Sequence, residues 1–499
     1  MSMDDQTPPG GTIRSWLDER ASTIGDRDAY LFFDGEAALT WSALRNRARK
    51  LAENLTAQGL DKGASVAILQ PNGREAIECL YGVLYGGFRA TVINLVAGDE
   101  AIGYALGHCD ARIAFVGDAQ TDLFDRVRPK EMTRYSAARF DKAPDLHALG
   151  PDDDALLMYT SGTTGRPKGV VHSHVSLLAG GWTPTVAHKL TPADRGLCVL
   201  PIYHINGLCV TVLSALVSGG SLAVAEKFST RKFWDQCQSA KATWFSVVPT
   251  IISHLLHSEL TPAHETRARL RFGRSASSPL APDVQTAFET RFEVPIVETM
   301  GLTETAAQIL SNPLPPGIRK IGSPGKAYGN EACILSADLT PLPPNTKGEI
   351  AVRGPNVMRE YLKNPDATRA TFTPDGWLRT GDLGHMDEDG YFFVTGRLKE
   401  LIIKGGENIA PREIDEALYS HPDVIEAAAF ARPCKTYGER VEAAVKLRTG
   451  SSVSSDQLIA ICVQRLGAFK SPDRVHVLQD LPKGPSGKIQ RIKLPVLTQ

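Results

Sequence analysis

The sequence has no Cys-x-x-Cys pair, no excess of charge of one sign and no basic, apolar segment at its N-terminus. Its eight cysteines are scattered, which argues against a zinc ribbon or a disulfide framework and suits a reducing cytoplasm. A net charge of −1 provides no global field for nucleic acid or an anionic membrane. The acidic start Met-Ser-Met-Asp-Asp-Gln is unlike a signal peptide. We therefore expect a cytoplasmic protein without a nucleic-acid partner.

One long stretch, residues 205–225, carries no charged residue and has almost the length of a membrane span. Gly219-Gly220 divides it, and polar side chains such as Asn206 and Thr211 interrupt it. This pattern favours a buried helix, a turn and a buried strand. We expect no integral membrane association.

The chain of 499 residues is too long for one hydrophobic core, so two or more domains are expected. Over the first ~400 residues, short apolar strands alternate with helical patterns. One example is a strand at 64–69, a helix at 73–85 and a strand at 90–95, and a strand at 243–248 followed by a helix at 249–256 is another. Such strands predict an α/β fold with parallel or mixed sheets covered by helices.

The pattern changes near residue 399. Pro411 favours the start of a helix, residues 424–431 and 441–447 are typical of strands, and residues 454–466 are typical of a capped helix. These elements predict a small α+β domain. We expect an N-terminal domain over residues 1–398 and a C-terminal domain over residues 399–499.

A loop rich in Gly, Ser and Thr follows the apolar run 155–158. It reads Tyr159-Thr-Ser-Gly-Thr-Thr-Gly-Arg-Pro-Lys-Gly169. Backbone N–H groups and hydroxyls of such a loop can bind phosphate, and its glycines allow close approach. It is not a Walker A loop, because Pro167 stands where that motif requires its second glycine. The alternative is an ordinary turn.

This loop and further motifs in the same order closely resemble the signatures of the adenylate-forming enzymes, which include acyl-CoA synthetases, luciferases and adenylation domains. The motifs are 298–304 (Glu-Thr-Met-Gly-Leu-Thr-Glu), 377–382 (Trp-Leu-Arg-Thr-Gly-Asp), 482–488 (Pro-Lys-Gly-Pro-Ser-Gly-Lys) and 200–207 (Leu-Pro-Ile-Tyr-His-Ile-Asn-Gly). The resemblance implies that fold, with a mobile C-terminal domain. It also implies an AMP-forming acid–CoA ligase that uses ATP, Mg²⁺ and coenzyme A. A carboxylate attacks the α-phosphate of ATP to give acyl-AMP and pyrophosphate, and the CoA thiol then displaces AMP.

The resemblance assigns the nucleotide site residue by residue. Thr303 would hold the α-phosphate, Glu304 would hold Mg²⁺, and Asp382 would accept hydrogen bonds from the ribose hydroxyls, with Arg397 nearby. A solvated acidic pair at a strand end is the alternative for the motif that contains Glu298 and Glu304. The remaining nucleotide-binding residues would be Thr160, Ser161, Gly162, Thr163, Thr164, Gly165, Lys168, Ser277, Ser278, Glu298, Thr299, Met300 and Gly301.

The C-terminal motif implies a catalytic lysine. Lys488 would contact the carboxylate and the α-phosphate during adenylation, since a lysine delivers a compact charge on a long stem. The domain would then rotate about a hinge at Lys399, for which a plain surface lysine is the alternative. Rotation would bring the loop that contains Lys404, Gly405 and Gly406 to the pantetheine tunnel.

Polar residues at expected pocket positions indicate the type of acid. Asn206, Arg274 and Gln308 would each need a hydrogen-bond partner when buried, which an apolar tail would not supply. A short acid with a second anionic group would satisfy all three, and dicarboxylates and sulfonated acids such as sulfoacetate fit. Arg274 pointing away to an acidic neighbour is the alternative, and a packed structural role is the alternative for His204. The full set of expected acid-pocket residues is His204, Asn206, Arg274, Gly301, Ala307 and Gln308.

Other functions remain open from the residues alone. An aryl or medium-chain acyl-CoA ligase, a stand-alone adenylation enzyme that loads a separate carrier protein, and a luciferase-type oxygenase would share the motifs. A nucleotide-binding regulator on an inactive scaffold is disfavoured, because Thr303, Glu304, Asp382 and Lys488 are all present. We expect a monomer or a homodimer with small-molecule partners.

Overall fold

The computed structural model describes residues 7–138, 142–160, 167–484 and 488–498. Over these residues the strands are β1 (Asp28–Phe32), β2 (Leu39–Thr40), β3 (Ser65–Leu69), β4 (Arg89–Val92), β5 (Ile113–Val116), β6 (Thr133–Arg134), β7 (Asp154–Tyr159), β8 (Gly169–Ser173), β9 (Arg195–Cys198), β10 (Ser221–Val224), β11 (Trp244–Val247), β12 (Phe272–Ser275), β13 (Ile296–Leu302), β14 (Ala307–Ser311), β15 (Lys326–Ala327), β16 (Glu331–Leu335), β17 (Gly348–Arg353), β18 (Glu360–Tyr361), β19 (Leu378–Met386), β20 (Phe392–Arg397), β21 (Ile402–Lys404), β22 (Glu407–Ile409), β23 (Val424–Cys434), β24 (Gly438–Leu447) and β25 (Arg474–Val477).

The helices of the described residues are α1 (Ile13–Ile24), α2 (Trp41–Ala57), α3 (Arg74–Gly86), α4 (Asp99–His108), α5 (Thr121–Val127), α6 (His174–Ala187), α7 (Ser214–Ser218), α8 (Phe233–Ser239), α9 (Pro249–Leu256), α10 (His264–Arg269), α11 (Pro282–Phe292), α12 (Pro365–Thr371), α13 (Pro411–Tyr419), α14 (Ser455–Leu466) and α15 (Leu494–Leu497). A π-helical segment, Asn206–Leu213, precedes α7. None of the described helices is long and apolar enough to cross a membrane.

Two large sheets form the body of the N-terminal part. The nine-stranded sheet has the order β15-β14-β13-β12-β11-β9-β10-β1-β2, and the seven-stranded sheet has the order β18-β8-β7-β4-β3-β5-β6. Both are parallel in the middle and antiparallel at one or both ends. A third, antiparallel sheet has the order β16-β17-β19-β20. The predicted α/β class with mixed sheets is confirmed.

The main apolar core lies where helices pack between these two large sheets. Tyr30 of β1, Leu80 of α3, Ala90 of β4, Leu177 of α6 and Leu222 of β10 all belong to one buried cluster. The uncharged stretch 205–225 also contributes, as the π-helical segment, α7, a turn at Gly219 and β10. Its prediction as a buried helix, turn and strand is confirmed.

The predicted alternation of strands and helices is wrong for residues 296–397. Between α11 and residue 397 the described chain contains eight strands, β13 to β20, and one α-helix, α12. Turn residues in the left-handed region, among them Gly329, Asn345 and Gly390, join these strands. Because antiparallel neighbours need only such turns, crossover helices are not required.

The smaller C-terminal part holds the fourth sheet, in the order β22-β21-β24-β23 with β25 parallel to β24. Pro411 begins α13, and Ile414, Ala417 and Leu418 are buried on its inner face. Ser454 caps α14 through a reciprocal bond with Gln457. The elements predicted for this α+β domain are therefore confirmed.

Candidate active site

The ribose-motif aspartate and its arginine face each other across two antiparallel strands. Asp382 of β19 lies directly opposite Arg397 of β20 in the register. Arg397 Nε donates to Asp382 Oδ1 at 2.6 Å, and its Nη2 donates to Oδ2 at 3.3 Å. Although burial opposes it, the Asp382 carboxylate raises the pKa of Arg397. Asp382 and Arg397 thus place a hydrogen-bond acceptor and a cation side by side at one end of the site.

The C-terminal lysine lies in the electric field of this pair. A short hairpin carries it, because Gly484 N donates to Lys488 O at 2.7 Å and Lys483 bridges to Ile489. Lys488 is exposed as a whole residue, yet protein atoms crowd its ammonium. That desolvation, followed by repulsion from Arg397, lowers the pKa of Lys488 to about 8, while Asp382 and Glu304 oppose the shift. The fold brings three of the predicted site residues around Lys488.

Two residues that the motifs did not indicate hold the Thr303-Glu304 segment. Tyr361 Oη donates to Glu304 Oε1 at 2.7 Å, and the Lys168 ammonium lies 4.1 Å from the centre of the Tyr361 ring. His172 Nε2 contacts the carbonyl of Thr303 at 2.7 Å, and burial lowers the pKa of His172 to about 4. Tyr361 lies on β18 and His172 lies on β8, the two strands next to the phosphate loop. Their position beside this loop was the only signal that could have indicated them.

Most of the phosphate loop lies outside the described residues. Ser161, Gly162, Thr163, Thr164 and Gly165 belong to that part. The base of the loop is described, and Thr160 N donates to Lys168 O at 2.9 Å. This bond closes the base of the loop between β7 and β8.

Strand β13 connects the nucleotide motif with the turn after β12. Glu298 is only 2% exposed and accepts a hydrogen bond from Leu280 N at 3.1 Å. Burial raises the pKa of Glu298 to about 7. The solvated alternative is therefore wrong for Glu298. Thr299 Oγ1 donates to the carbonyl of Ser275, and Met300 and Gly301 continue the strand beside the half-buried Ser277 and Ser278.

The expected acid-pocket residues converge on one buried guanidinium. Arg274 is 1% exposed on β12, and Ser246 of β11 lies opposite it in the register. Its Nη1 donates to Asn206 Oδ1 at 2.7 Å and to Ser246 Oγ at 3.3 Å. Its Nε donates to Gln308 Oε1 at 3.2 Å. All these partners are neutral.

The acidic partner considered as an alternative for Arg274 does not exist within the described part of the chain. None of the ion pairs formed there includes Arg274. Desolvation lowers the pKa of Arg274 to about 9, which leaves it charged at neutral pH. A buried cation whose partners are all neutral is costly, so this pocket is suited to an anion.

Gln308 was expected at this site from the sequence, whereas His188 beside it was not. Gln308 Nε2 is buried and donates no hydrogen bond of good geometry within the described residues, although Gln308 lies within bonding range of the His188 ring. His188 is fully buried against the Phe272 ring, and burial and the charge of Arg274 hold its pKa well below its ordinary value. A neutral histidine and the Gln308 amide thus lie beside Arg274. His188 lies in no motif, and only the fold brings it here.

A strained turn sets the position of Gln308. Ala306 and Ala307 have φ values of 45° and 87°, which alanine rarely adopts. The turn returns β14 so close to β13 that a Cβ on Gly301 would lie 1.9 Å from the carbonyl oxygen of Ala307. Gly301 and Ala307 therefore fix the position of Gln308 through their backbones.

The remaining expected residues are not among the hydrogen-bond partners of Arg274 in the described residues. His204 is half-buried with its ring edge-on to Tyr203. Lys399 is exposed in the turn after β20. Lys404 is buried in the C-terminal part, where its ammonium donates to Phe469 O at 2.9 Å. Gly405 and Gly406 follow it with left-handed φ values. This loop is not among the residues that surround Lys488.

Comparisons with known proteins agree with this site. A family model described as AMP-binding enzyme matches residues 17–362, and the model of the AMP-binding enzyme C-terminal domain matches residues 413–488. The chain belongs to the AMP-binding enzyme family. Within this family it is 44% identical to a sulfoacetate–CoA ligase of Cupriavidus necator, over 97% of both chains. It is 35% identical to an oxalate–CoA ligase of Arabidopsis thaliana, over 96% of this chain and 97% of that protein.

The fold of this AMP-binding enzyme is also found among solved structures. The crystal structure of ATP-bound MatB from Rhodopseudomonas palustris matches with a TM-score of 0.88 at 30% identity. The match covers 98% of this chain and 99% of that chain. The adenylate-forming fold expected from the motifs is therefore confirmed.

Proposed function

We propose that this protein, an AMP-forming acid–CoA ligase, acts on a short acid that carries a second anionic group. The observation that carries this proposal is Arg274, a buried guanidinium whose partners in the described residues are neutral. A distal carboxylate or sulfonate would supply the missing charge, with two oxygens for a planar donor. Gln308 Nε2 offers one more donor to the same group.

An apolar tail would gain nothing from this pocket. It would leave the Arg274 charge buried without an anionic partner, which costs several kcal/mol relative to an anion. The shared features of two relatives support the same conclusion, because sulfoacetate and oxalate are both short dianions. An aryl or medium-chain acid therefore fits this site poorly.

We infer that Lys488 and the Asp382–Arg397 pair serve the adenylation step. Lys488 would neutralise charge on the attacking carboxylate and the α-phosphate, and Thr303 would donate to the same phosphate. Asp382 would accept from the ribose, and Lys168 would meet the phosphates from the base of the loop. These roles are supported by the field that Lys488 shares with Asp382, Arg397 and Glu304.

Glu304 is suited to hold the Mg²⁺ that accompanies ATP. The described residues contain no cluster of three or more acidic, His or Cys side chains that could form a protein cage. One carboxylate is sufficient where phosphates and water complete the shell, because Mg²⁺ keeps several waters. Tyr361 occupies Glu304 Oε1 and leaves Oε2 available. When bound, the ion would neutralise charge on the phosphates.

The thioester step would follow a rotation of the C-terminal domain. We propose Lys399 as the hinge, which its exposed turn permits. Rotation would withdraw Lys488 and bring Lys404, Gly405 and Gly406 to the pantetheine of CoA. The Lys404 ammonium is bound by the Phe469 carbonyl within the C-terminal part, which supports a separate role for this segment.

Release of AMP and pyrophosphate, measured with CoA and a panel of acids, tests the substrate class. The panel contains sulfoacetate, oxalate, malonate, acetate, benzoate and octanoate. We expect a dianionic acid to be preferred, and Arg274→Met to lower its kcat/KM by about 10²-fold or more, since a buried charge partner is lost. Arg353→Met, which removes an exposed arginine of β17, is the matched control and should be neutral.

Two outcomes would contradict the proposal. Preference for benzoate or octanoate, retained in Arg274→Met, would show that Arg274 does not select the acid. Pyrophosphate exchange without any acyl-CoA product would show that the thiol acceptor is a carrier protein.

A further inference from the structure

The two domains meet at the end of helix α9, where three side chains reach toward β23. Ser253 Oγ donates to Ile425 O at 2.6 Å, and His257 Nε2 contacts Pro422 O at 3.1 Å. Between them, His254 Nε2 lies 2.9 Å from Glu426 Oε1. The first two contacts are made to backbone carbonyls, and the third is made to a buried carboxylate.

Glu426 is 0% exposed, although it is charged and lies at a domain boundary. The same Oε1 atom also accepts a salt bridge from Lys483 Nζ at 2.7 Å. Its Oε2 makes no hydrogen bond to the residues that the structure describes. Together His254 and Lys483 hold the pKa of Glu426 below its ordinary value against the opposing effect of burial. One carboxylate oxygen therefore joins α9 of the N-terminal part to Lys483.

Lys483 stands at the base of the hairpin that carries Lys488. Lys483 pairs with Ile489 across the hairpin, and Gln490 N donates to Pro482 O at 2.7 Å. A displacement of Lys483 would therefore move Lys488. The contacts connect the N-terminal part to the catalytic lysine in the order His254, Glu426, Lys483 and Lys488.

We propose that Glu426 is a positioning residue that sets Lys488 for adenylation, by holding the base of the Lys488 hairpin against His254. The proposal rests on the two-step ligase function proposed above. Glu426 and Lys483 belong to the same domain and can stay paired when it rotates, whereas the bond to His254 crosses the boundary and must break. The contact between His254 and Glu426 therefore favours the arrangement in which Lys488 faces the site. It does not stabilise the arrangement used for the thioester step.

Separate assays of the two half-reactions test this role. Acid-dependent pyrophosphate exchange measures adenylation, and CoA-dependent consumption of supplied acyl-AMP measures thioester formation. We expect His254→Ala and Glu426→Gln to slow exchange about tenfold, within the usual range of coupling between sites, and to leave thioester formation equal or faster. His254→Gln, whose amide can place a donor near the Nε2 position, should recover most of the exchange rate.

His257→Ala is the matched comparison, because it also removes a contact across the boundary but does not touch Glu426. It should change the ratio of the two rates much less than His254→Ala does. The proposal is overturned if His257→Ala changes the ratio equally, if both half-reactions fall together, or if His254→Gln shows no recovery. Failure of the ligase function itself would be distinguishable, because wild-type protein would then lack one or both half-reactions.

Discussion

Arg274 and Lys488 are both cations from which the fold removes water, and the consequences differ because their ordinary pKa values differ. Burial lowers the pKa of Arg274 to about 9, so the guanidinium stays charged over the physiological range. Desolvation and Arg397 lower the pKa of Lys488 to about 8, so its charge is lost just above that range. Arg274 therefore keeps its charge to a pH about one unit higher than Lys488 does.

The lowered pKa of Lys488 predicts a pH limit on adenylation. Lys488 is protonated below about pH 8, and the charge that adenylation needs is lost as the pH rises through that value. We expect kcat/KM for pyrophosphate exchange, which reports the free enzyme, to fall about tenfold per pH unit above 8. Pyrophosphate exchange measured from pH 6.5 to 9.5 gives this profile.

Lys488→Arg provides the control for that profile. An arginine at position 488 keeps its charge over the whole range, so the fall should begin only near pH 9, where Arg274 loses its charge, even if the rate is lower. Thioester formation from supplied acyl-AMP should not fall between pH 8 and 9. A fall that still begins near pH 8 in Lys488→Arg would assign the limit to another group.

At the scale of elements, the β13–β14 hairpin does more than pair two strands. Its register brings Gly301 opposite Gln308, and the turn at Ala306 and Ala307 keeps both alanines in the left-handed region. Such strain persists only where surrounding structure enforces it, and it is frequent at binding sites. Here it directs Gln308 to Arg274. The hairpin thus determines where Gln308 lies relative to Arg274.

We expect Gly301→Ala to destabilise the protein by about 2 kcal/mol or more, because its Cβ would overlap the Ala307 carbonyl. It should also raise KM for the acid, since Gln308 would shift. Thermal unfolding and steady-state kinetics measure the two effects. Gly107→Ala in α4 is the matched control, where the added Cβ meets nothing and helix propensity improves. A Gly301→Ala variant as stable as wild type would contradict the steric account.

At the scale of the whole molecule, the structure joins two domains in an arrangement suited to one of the two half-reactions. Lys488 of the C-terminal part lies in the field of Asp382 and Glu304 of the N-terminal part, while Lys404 is buried elsewhere. One rigid arrangement cannot bring both segments to the same site. The rotation proposed above would bring each segment to the site in turn.

Because Lys488 would serve only one of the two steps, we expect Lys488→Ala to slow adenylation and to spare thioester formation. Loss of a charge that stabilises the transition state should lower pyrophosphate exchange by about 10²-fold or more. Thioester formation from supplied acyl-AMP should be spared, because Lys488 would be withdrawn during that step. Lys493→Ala, on the exposed segment after the hairpin, is the control and should affect neither rate. Equal losses in both half-reactions would contradict the rotation.

Much of the fold could be predicted because local pattern decides it. The apolar strands β3 and β11, the proline that begins α13 and the serine that caps α14 follow from period, burial and capping. The prediction of alternating strands and helices was wrong for residues 296–397. Whether two strands pair directly or through a crossover depends on partners distant in sequence.

The site shows the same difference between what local sequence decides and what contacts between distant segments decide. The resemblance of the motifs to those of the adenylate-forming enzymes indicated Asp382, Thr303, Glu304 and Lys488, because each stands at a matching place in a motif of this sequence. Tyr361, His172 and His188 carry no such signal, because their relevance comes from what lies beside them. Their contacts exist only through the pairing of β18 with β8 and the packing of His188 on β12.

The sequence by itself determined the family, the nucleotide motifs and the presence of an arginine with Asn206 and Gln308 at pocket positions. Only the tertiary structure decided that Arg274 is buried among neutral partners, and that Glu426 connects α9 to the base of the Lys488 hairpin. The physical reason is that burial and charge pairing depend on which distant segments exclude water from a side chain. Residue type fixes what a group can do, and the fold decides the environment in which the group does it.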